Sequence, residues 1–74
     1  MVILYTQPNC APCLVAKNRL TKAGIPFELI DIRESPAAFD KIQAAGFNGT
    51  PVLEHDGKLT DIRGLLDIVK SYPR

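Results

Sequence analysis

The chain has 74 residues, 46% of them apolar, and its charged side chains sum to a net charge of +1. That length makes one small domain spanning residues 1–74 with no room for a second, and a domain of this size buries only roughly 60% of its unfolded surface. The dispersed charges form no basic patch of the kind nucleic acid requires, and no run reaches the ~18 apolar residues of a membrane span.

Val2 to Tyr5 is apolar at every position, which predicts a central strand covered on both faces. The opening Met1-Val2-Ile3-Leu4-Tyr5 lacks a basic segment ahead of an apolar stretch, so the expectation is a cytoplasmic protein without a secretory leader. Thr6 to Asn9, with Pro8, reads as a loop. From about Ala11, the residues Cys13, Ala16, Leu20 and Ala23 follow a helical period, and Lys17, Asn18, Arg19 and Lys22 mostly cover the other face. Gly24 is placed to end that helix. Phe27 to Ile32 predicts a second strand, again apolar on both faces. Ser35 and Pro36 form an N-cap and N1 pair opening a helix that ends at Gly46, with Phe39, Ile42 and Ala45 as its apolar stripe.

Phe47 to Thr50 reads as a loop, Pro51 to His55 as a third strand, and Asp56-Gly57 as a two-residue hairpin turn into a short strand at Lys58 to Thr60. Ile62, Leu65, Leu66 and Val69 give an i, i+3, i+4, i+7 stripe for a last helix, and Tyr72 to Arg74 a short tail. Tyr5 and Phe27 are expected in the core, Asp31 in a turn. The order is β-α-β-α-β-β-α. The first unit requires a parallel strand pair with a right-handed crossover, and the hairpin adds an antiparallel pair. An α/β fold with a four-stranded mixed sheet and three helices follows.

The only two cysteines stand as Cys10-Ala11-Pro12-Cys13, where the first strand feeds the first helix. A helix start exposes unpaired N–H groups and the positive end of the helix dipole. Both favour a thiolate, the reacting species in disulfide exchange. In a cytoplasmic protein a catalytic disulfide is expected over a structural one.

These features together resemble the minimal, glutaredoxin-like form of the thioredoxin fold. The residues that carry the resemblance are Tyr5-Thr6-Gln7-Pro8-Asn9-Cys10-Ala11-Pro12-Cys13, Ala16-Lys17 and Thr50-Pro51-Val52-Leu53. It covers essentially the whole chain and implies a thiol-disulfide oxidoreductase. Cys10 is then the nucleophile and Cys13 the resolving thiol, with no cofactor beyond that redox-active pair. Pro51 is expected to be cis and to face the cysteines, and Thr50 to offer its backbone to an extended substrate. Ala11 and Pro12 tune the pair. Proline directly before the second cysteine resembles thioredoxin, which implies a potential nearer the reducing end of about −270 to −200 mV. Lys17 either supports the thiolate or is a solvated helix lysine, and Arg63 either meets a partner or lies at a helix start. As metal ligands the cysteines would need further Cys or His, and only His55, read as an exposed hairpin residue, is at hand.

Two branches of the family compete. Glutaredoxins take electrons from glutathione, through a site that typically has a lysine before the first cysteine and a Gly-Gly followed by acidic residues after the hairpin. Here those positions hold Gln7 and Asp61-Ile62, followed by Arg63-Gly64-Leu65. NrdH-redoxins take electrons from thioredoxin reductase and supply ribonucleotide reductase. The missing glutathione residues favour the second branch. Gln7 and Arg63 join Thr50 and Pro51 as expected partner-contacting positions of a monomer, and a glutathione-dependent glutaredoxin is the alternative. A glutathione-bridged iron–sulfur or metal-binding module is the rival from another class.

Overall fold

A computed structural model describes residues 2–72. The strands are β1 (Val2–Thr6), β2 (Phe27–Asp31), β3 (Val52–His55) and β4 (Lys58–Thr60), and the helices are α1 (Ala11–Lys22), α2 (Pro36–Ala44) and α3 (Leu65–Ser71). A single 3₁₀ turn at Ile62–Gly64 leads into α3. The strands make one mixed sheet in the order β2-β1-β3-β4. β1 runs parallel to β2 and antiparallel to β3, and β3 pairs antiparallel with β4. This is the expected β-α-β-α-β-β-α architecture, a thioredoxin-like fold.

Alternation along β1 divides the core between the two faces of the sheet. Val2 and Leu4 join Leu53 beneath α1 (Ala16, Leu20) and α3 (Leu65, Ile68). Tyr5 turns the other way, with Val52, toward Ala38 and Ile42 of α2. β1 is thus buried on both sides, as its sequence predicts. Its carboxyl end opens onto the loop that carries the cysteines.

Local signals set the element ends. The Ser35 hydroxyl accepts from the Ala38 N–H at 3.3 Å, capping α2 with Pro36 at its first position. Asp56 (φ 53°) and Gly57 (φ 75°) both take the left-handed conformation, the signature of a type I′ turn whose twist matches its strands.

Several sequence expectations are corrected. Phe27 to Ile32 is expected to be covered on both faces, yet it includes Glu28 and Asp31, and β2 lies at the sheet's edge and leaves Glu28 and Leu29 exposed. Phe27 is only partly buried against the core. In α2 the buried residues are Ala38 and Ile42, with Phe39 and Ala45 exposed. In α3 they are Leu65 and Ile68, and Leu66 faces solvent. Tyr72 is no tail residue: it packs against the core and against the half-buried His55, with ring centroids 5.8 Å apart. Pro73 and Arg74, expected in that tail, lie outside the described residues.

Candidate active site at the start of the first helix

The loop after β1 reaches the site through Asn9, whose φ of 60° is left-handed. Asparagine tolerates this region better than most residues, because its short polar side chain bonds locally. The reversal at Asn9 delivers Cys10 in an extended conformation to the N-cap of α1. There the Cys10 sulfur does what a serine or aspartate oxygen does at other helix starts: it accepts the N–H of Cys13, at 3.2 Å. Pro12 sits in the first turn, where its missing N–H leaves no helical bond unmade.

Cys10 and Cys13 are joined as a disulfide, with Cα atoms 5.2 Å apart. The two sulfurs are not equivalent. Cys13 is 4% exposed, whereas Cys10 is half-buried at the surface. A partner therefore reaches Cys10.

Across the cleft, the Thr50–Pro51 peptide is cis, as expected. The Thr50 hydroxyl donates to Cys10 Sγ at 3.5 Å, and the Thr50 carbonyl oxygen lies 3.6 Å from the same sulfur. The sequence pointed to this residue's backbone. The hydroxyl contact was missed because nothing local to Thr50 announces it.

On the other flank Gln7, Asn9 and Lys17 line an open groove with Cys10, together with the exposed Leu14 and Leu29. Gln7 and Lys17 thus share a groove with the more accessible of the two cysteines. Arg63 is placed differently. Its Nε and guanidinium nitrogens donate to Asp61 Oδ2 at 3.1 and 2.9 Å, and its backbone N–H donates to Asp61 Oδ1 at 2.9 Å. The Arg63 side chain is 90% exposed. These hydrogen bonds hold the Asp61 carboxyl below the usual carboxylate range. Asp61 therefore organises the turn into α3, with its carboxylate already engaged.

On the α2 face of the sheet, Tyr5 donates its phenolic proton to Glu54 Oε1 at 2.7 Å, and Lys41 Nζ meets the same oxygen at 2.7 Å. The bonds from Lys41 and Tyr5 hold Glu54 below its ordinary range. Burial, and then the Glu54 carboxylate, push the Tyr5 phenol up. Asp31 caps its turn by accepting the Arg33 N–H at 2.8 Å. Among the described residues no group of three or more His, Cys, Asp or Glu is placed to hold a metal ion. No helix there is long and apolar enough to cross a membrane.

A CxxC pair capping a helix, facing a cis-proline, on a four-stranded mixed sheet defines the class: a thioredoxin-fold thiol-disulfide oxidoreductase. The glutaredoxin family model matches residues 2–60. The glutaredoxin-like protein NrdH of Lactococcus lactis is 36% identical over 56 residues, covering 76% of this chain and 78% of that protein. The chain belongs to the glutaredoxin family, and its relatives include that family's NrdH glutaredoxin-like proteins. The Gene 56 protein of Mycobacterium phage L5 is 42% identical over 41 residues, a stretch that covers 55% of this chain but only 40% of the phage protein. Among solved structures, the NrdH-redoxin of Escherichia coli superposes with a TM-score of 0.87 at 25% identity, covering 99% of this chain and 96% of that one.

Proposed function

We propose that the protein is an electron donor of the NrdH-redoxin type, reducing protein disulfides through Cys10 and Cys13. In the first step the Cys10 thiolate attacks a substrate disulfide and one substrate thiolate leaves. Cys13 then attacks Cys10 Sγ, releasing the second substrate thiolate and closing the Cys10–Cys13 disulfide. The observation that carries this reading is the asymmetry of the pair. The accessible sulfur receives the Cys13 N–H and the Thr50 hydroxyl, and the buried one stands ready to resolve. Thr50 and Pro51 form the edge against which an extended substrate segment docks.

Thioredoxin reductase is the electron source in this proposal and ribonucleotide reductase an acceptor, both in a reducing compartment, the cytoplasm. Two observations favour a reductase over glutathione. The loop before Cys10 holds Gln7 and no lysine, so the groove's one cation is Lys17 of α1, and the turn after β4 presents an Asp61 carboxylate already bound by Arg63. The E. coli relative is itself described as having a thioredoxin-like activity profile.

The test oxidises the protein and follows NADPH consumption with thioredoxin reductase, or with glutathione and its reductase. Fast turnover with thioredoxin reductase is the expected result. Reduction by the glutathione system alone would assign the protein to the glutathione-dependent branch instead.

A further inference from the structure

The groove on the β2 flank of Cys10 is unexplained by the reaction itself. Leu14 and Leu29 line it, and they are 59% and 47% exposed. They come from different elements, α1 and the edge strand β2, and meet beside the sulfur that a partner must reach. Two leucines held open to water in one groove form an apolar seat. Lys17 also lines it, is the only charged residue to do so, and makes no ion pair among the described residues. Of the carboxylates on β2, Glu28 alternates to the opposite face of the sheet from Leu29, and Asp31, on the same face, does not line the groove and accepts the Arg33 N–H. The lining includes Cys10 but neither Thr50 nor Pro51, so the groove adds a second set of contacts around the same sulfur.

We propose that this groove selects the protein's substrates. It receives the residues next to the attacked cysteine, with an apolar side chain against Leu14 and Leu29 and a carboxylate against Lys17. The preferred substrate is a disulfide whose cysteine is flanked by large apolar residues with acidic residues beyond them. The inference rests on the dithiol mechanism proposed above and concerns only which disulfides that mechanism prefers.

The test uses symmetric disulfide dimers of short peptides, in which attack on either sulfur is equivalent. One peptide has Leu on both sides of the cysteine and Glu next outward. A second replaces Leu by Ala, and a third replaces Glu by Lys. The reduced protein loses its two thiol protons and two electrons to each dimer, giving the Cys10–Cys13 disulfide and two peptide thiols. Rate constants are taken as ratios to that for hydroxyethyl disulfide, so a general change in reactivity cancels. The Leu peptide should exceed the Ala peptide about tenfold, the lower end of what a single methylene confers in a closed apolar pocket, because this groove is open to solvent. Glu should exceed Lys roughly threefold at low salt, falling toward unity at high salt, as for an exposed ion pair.

Leu14→Ser and Leu29→Ser should collapse the Leu preference, and Lys17→Glu should reverse the charge preference. Phe39→Ser, which removes an exposed apolar residue outside the groove, should leave both ratios intact. Equal rates across the three peptides, or preferences that survive the groove variants, would overturn the proposal. So would a dimer in sedimentation velocity that Leu14→Ser dissolves, since the groove would then seat a second copy of the chain. No reaction even with hydroxyethyl disulfide would instead refute the dithiol mechanism, a separate and recognisable failure.

Discussion

The Thr50 hydroxyl donates to Cys10 Sγ across 3.5 Å, from a residue 40 positions further along the chain. On reduction this donor and the Cys13 N–H both stabilise a thiolate at Cys10, while the Thr50 carbonyl oxygen, 3.6 Å away, favours the protonated thiol. Thr50→Val keeps the side chain's shape and the carbonyl but removes the hydroxyl. A hydrogen bond of this kind contributes about 1 kcal/mol. The ultraviolet absorbance of the thiolate should then appear at higher pH in Thr50→Val, whereas Thr50→Ser should titrate like the parent. Below that titration, alkylation of Cys10 should slow roughly twofold, because a more basic thiolate recovers part of the loss through higher intrinsic nucleophilicity. An unchanged titration would remove Thr50 from the thiolate's environment.

How much of this was legible in the sequence depended on how local the signal was. Ser35-Pro36, Asp56-Gly57 and the Cys10 to Cys13 spacing are decided within four residues of chain, and each stands where its chemistry requires. The edge position of β2 was passed over: Phe27 to Ile32 carries Glu28 and Asp31 among its apolar residues, charges that suit an edge strand better than a covered one. The stripe predicted for α3 holds at Ile62, Leu65 and Val69, which lie against the core, and departs at Leu66 for a geometric reason. Ile62 to Gly64 turns as a 3₁₀ helix, and three residues at three per turn shift the face by about 60° relative to an α-helix. A stripe counted from Ile62 therefore selected Leu66, and the structure buries Ile68. The Thr50 hydroxyl, the groove leucines and the Asp61–Arg63 pair needed the chain to be folded before they could be seen.

The Tyr5–Glu54–Lys41 cluster ties β1, β3 and α2 together on the α2 face of the sheet. Tyr5→Phe removes one partly buried hydrogen bond and leaves Glu54 paired with Lys41, at a cost of about 0.5–1.5 kcal/mol. For a domain of this size each kcal/mol is worth about 4–8 °C in Tm, so calorimetry should show a fall of that order. The sign of the pH effect follows from Glu54, 19% exposed and held below its ordinary value. Its contribution is fully present above the unfolded carboxyl range near 4.3–4.5 and is lost as pH falls through the folded value. Glu54→Gln should be less stable at neutral pH yet lose less stability on acidification. A parallel pair of stability–pH curves would contradict the assignment.

Gly64, in the turn into α3, stands hard against the Thr60 side chain at the end of β4. A Cβ placed on Gly64 would run into the Thr60 side chain at Oγ1, Cγ2 and Cβ. Because the clash reaches Thr60 Cβ and not only its tip, rotating the threonine does not relieve it. Gly64→Ala should destabilise by about 1–3 kcal/mol, as overpacking does, and the turn that carries Asp61 and Arg63 should shift. Adding Thr60→Gly should recover part of the loss in urea denaturation, since it removes the three atoms nearest the new methyl. Equal stability of the parent and Gly64→Ala would show that the turn stands further from β4.

The difference in exposure between Cys10 and Cys13 assigns their roles in a way that trapping can check. A substrate disulfide can approach the half-exposed Cys10, whereas Cys13, 4% exposed, is reached only from Cys10 itself. Cys13→Ser retains the Cys10 thiolate, the Thr50 hydroxyl and the backbone N–H at position 13, but it lacks the thiol that resolves the adduct. Mixed with a peptide disulfide, it should accumulate a one-to-one mixed disulfide visible by intact mass under non-reducing conditions, with turnover lowered by orders of magnitude. Cys10→Ser should yield almost no adduct on the same timescale, because its remaining thiol is covered. A Cys10→Ser protein that captured substrate as readily as Cys13→Ser would mean that the helix start opens far enough to expose the inner sulfur. The order of attack would then follow from motion of the loop at Asn9 and not from the burial that the fold imposes.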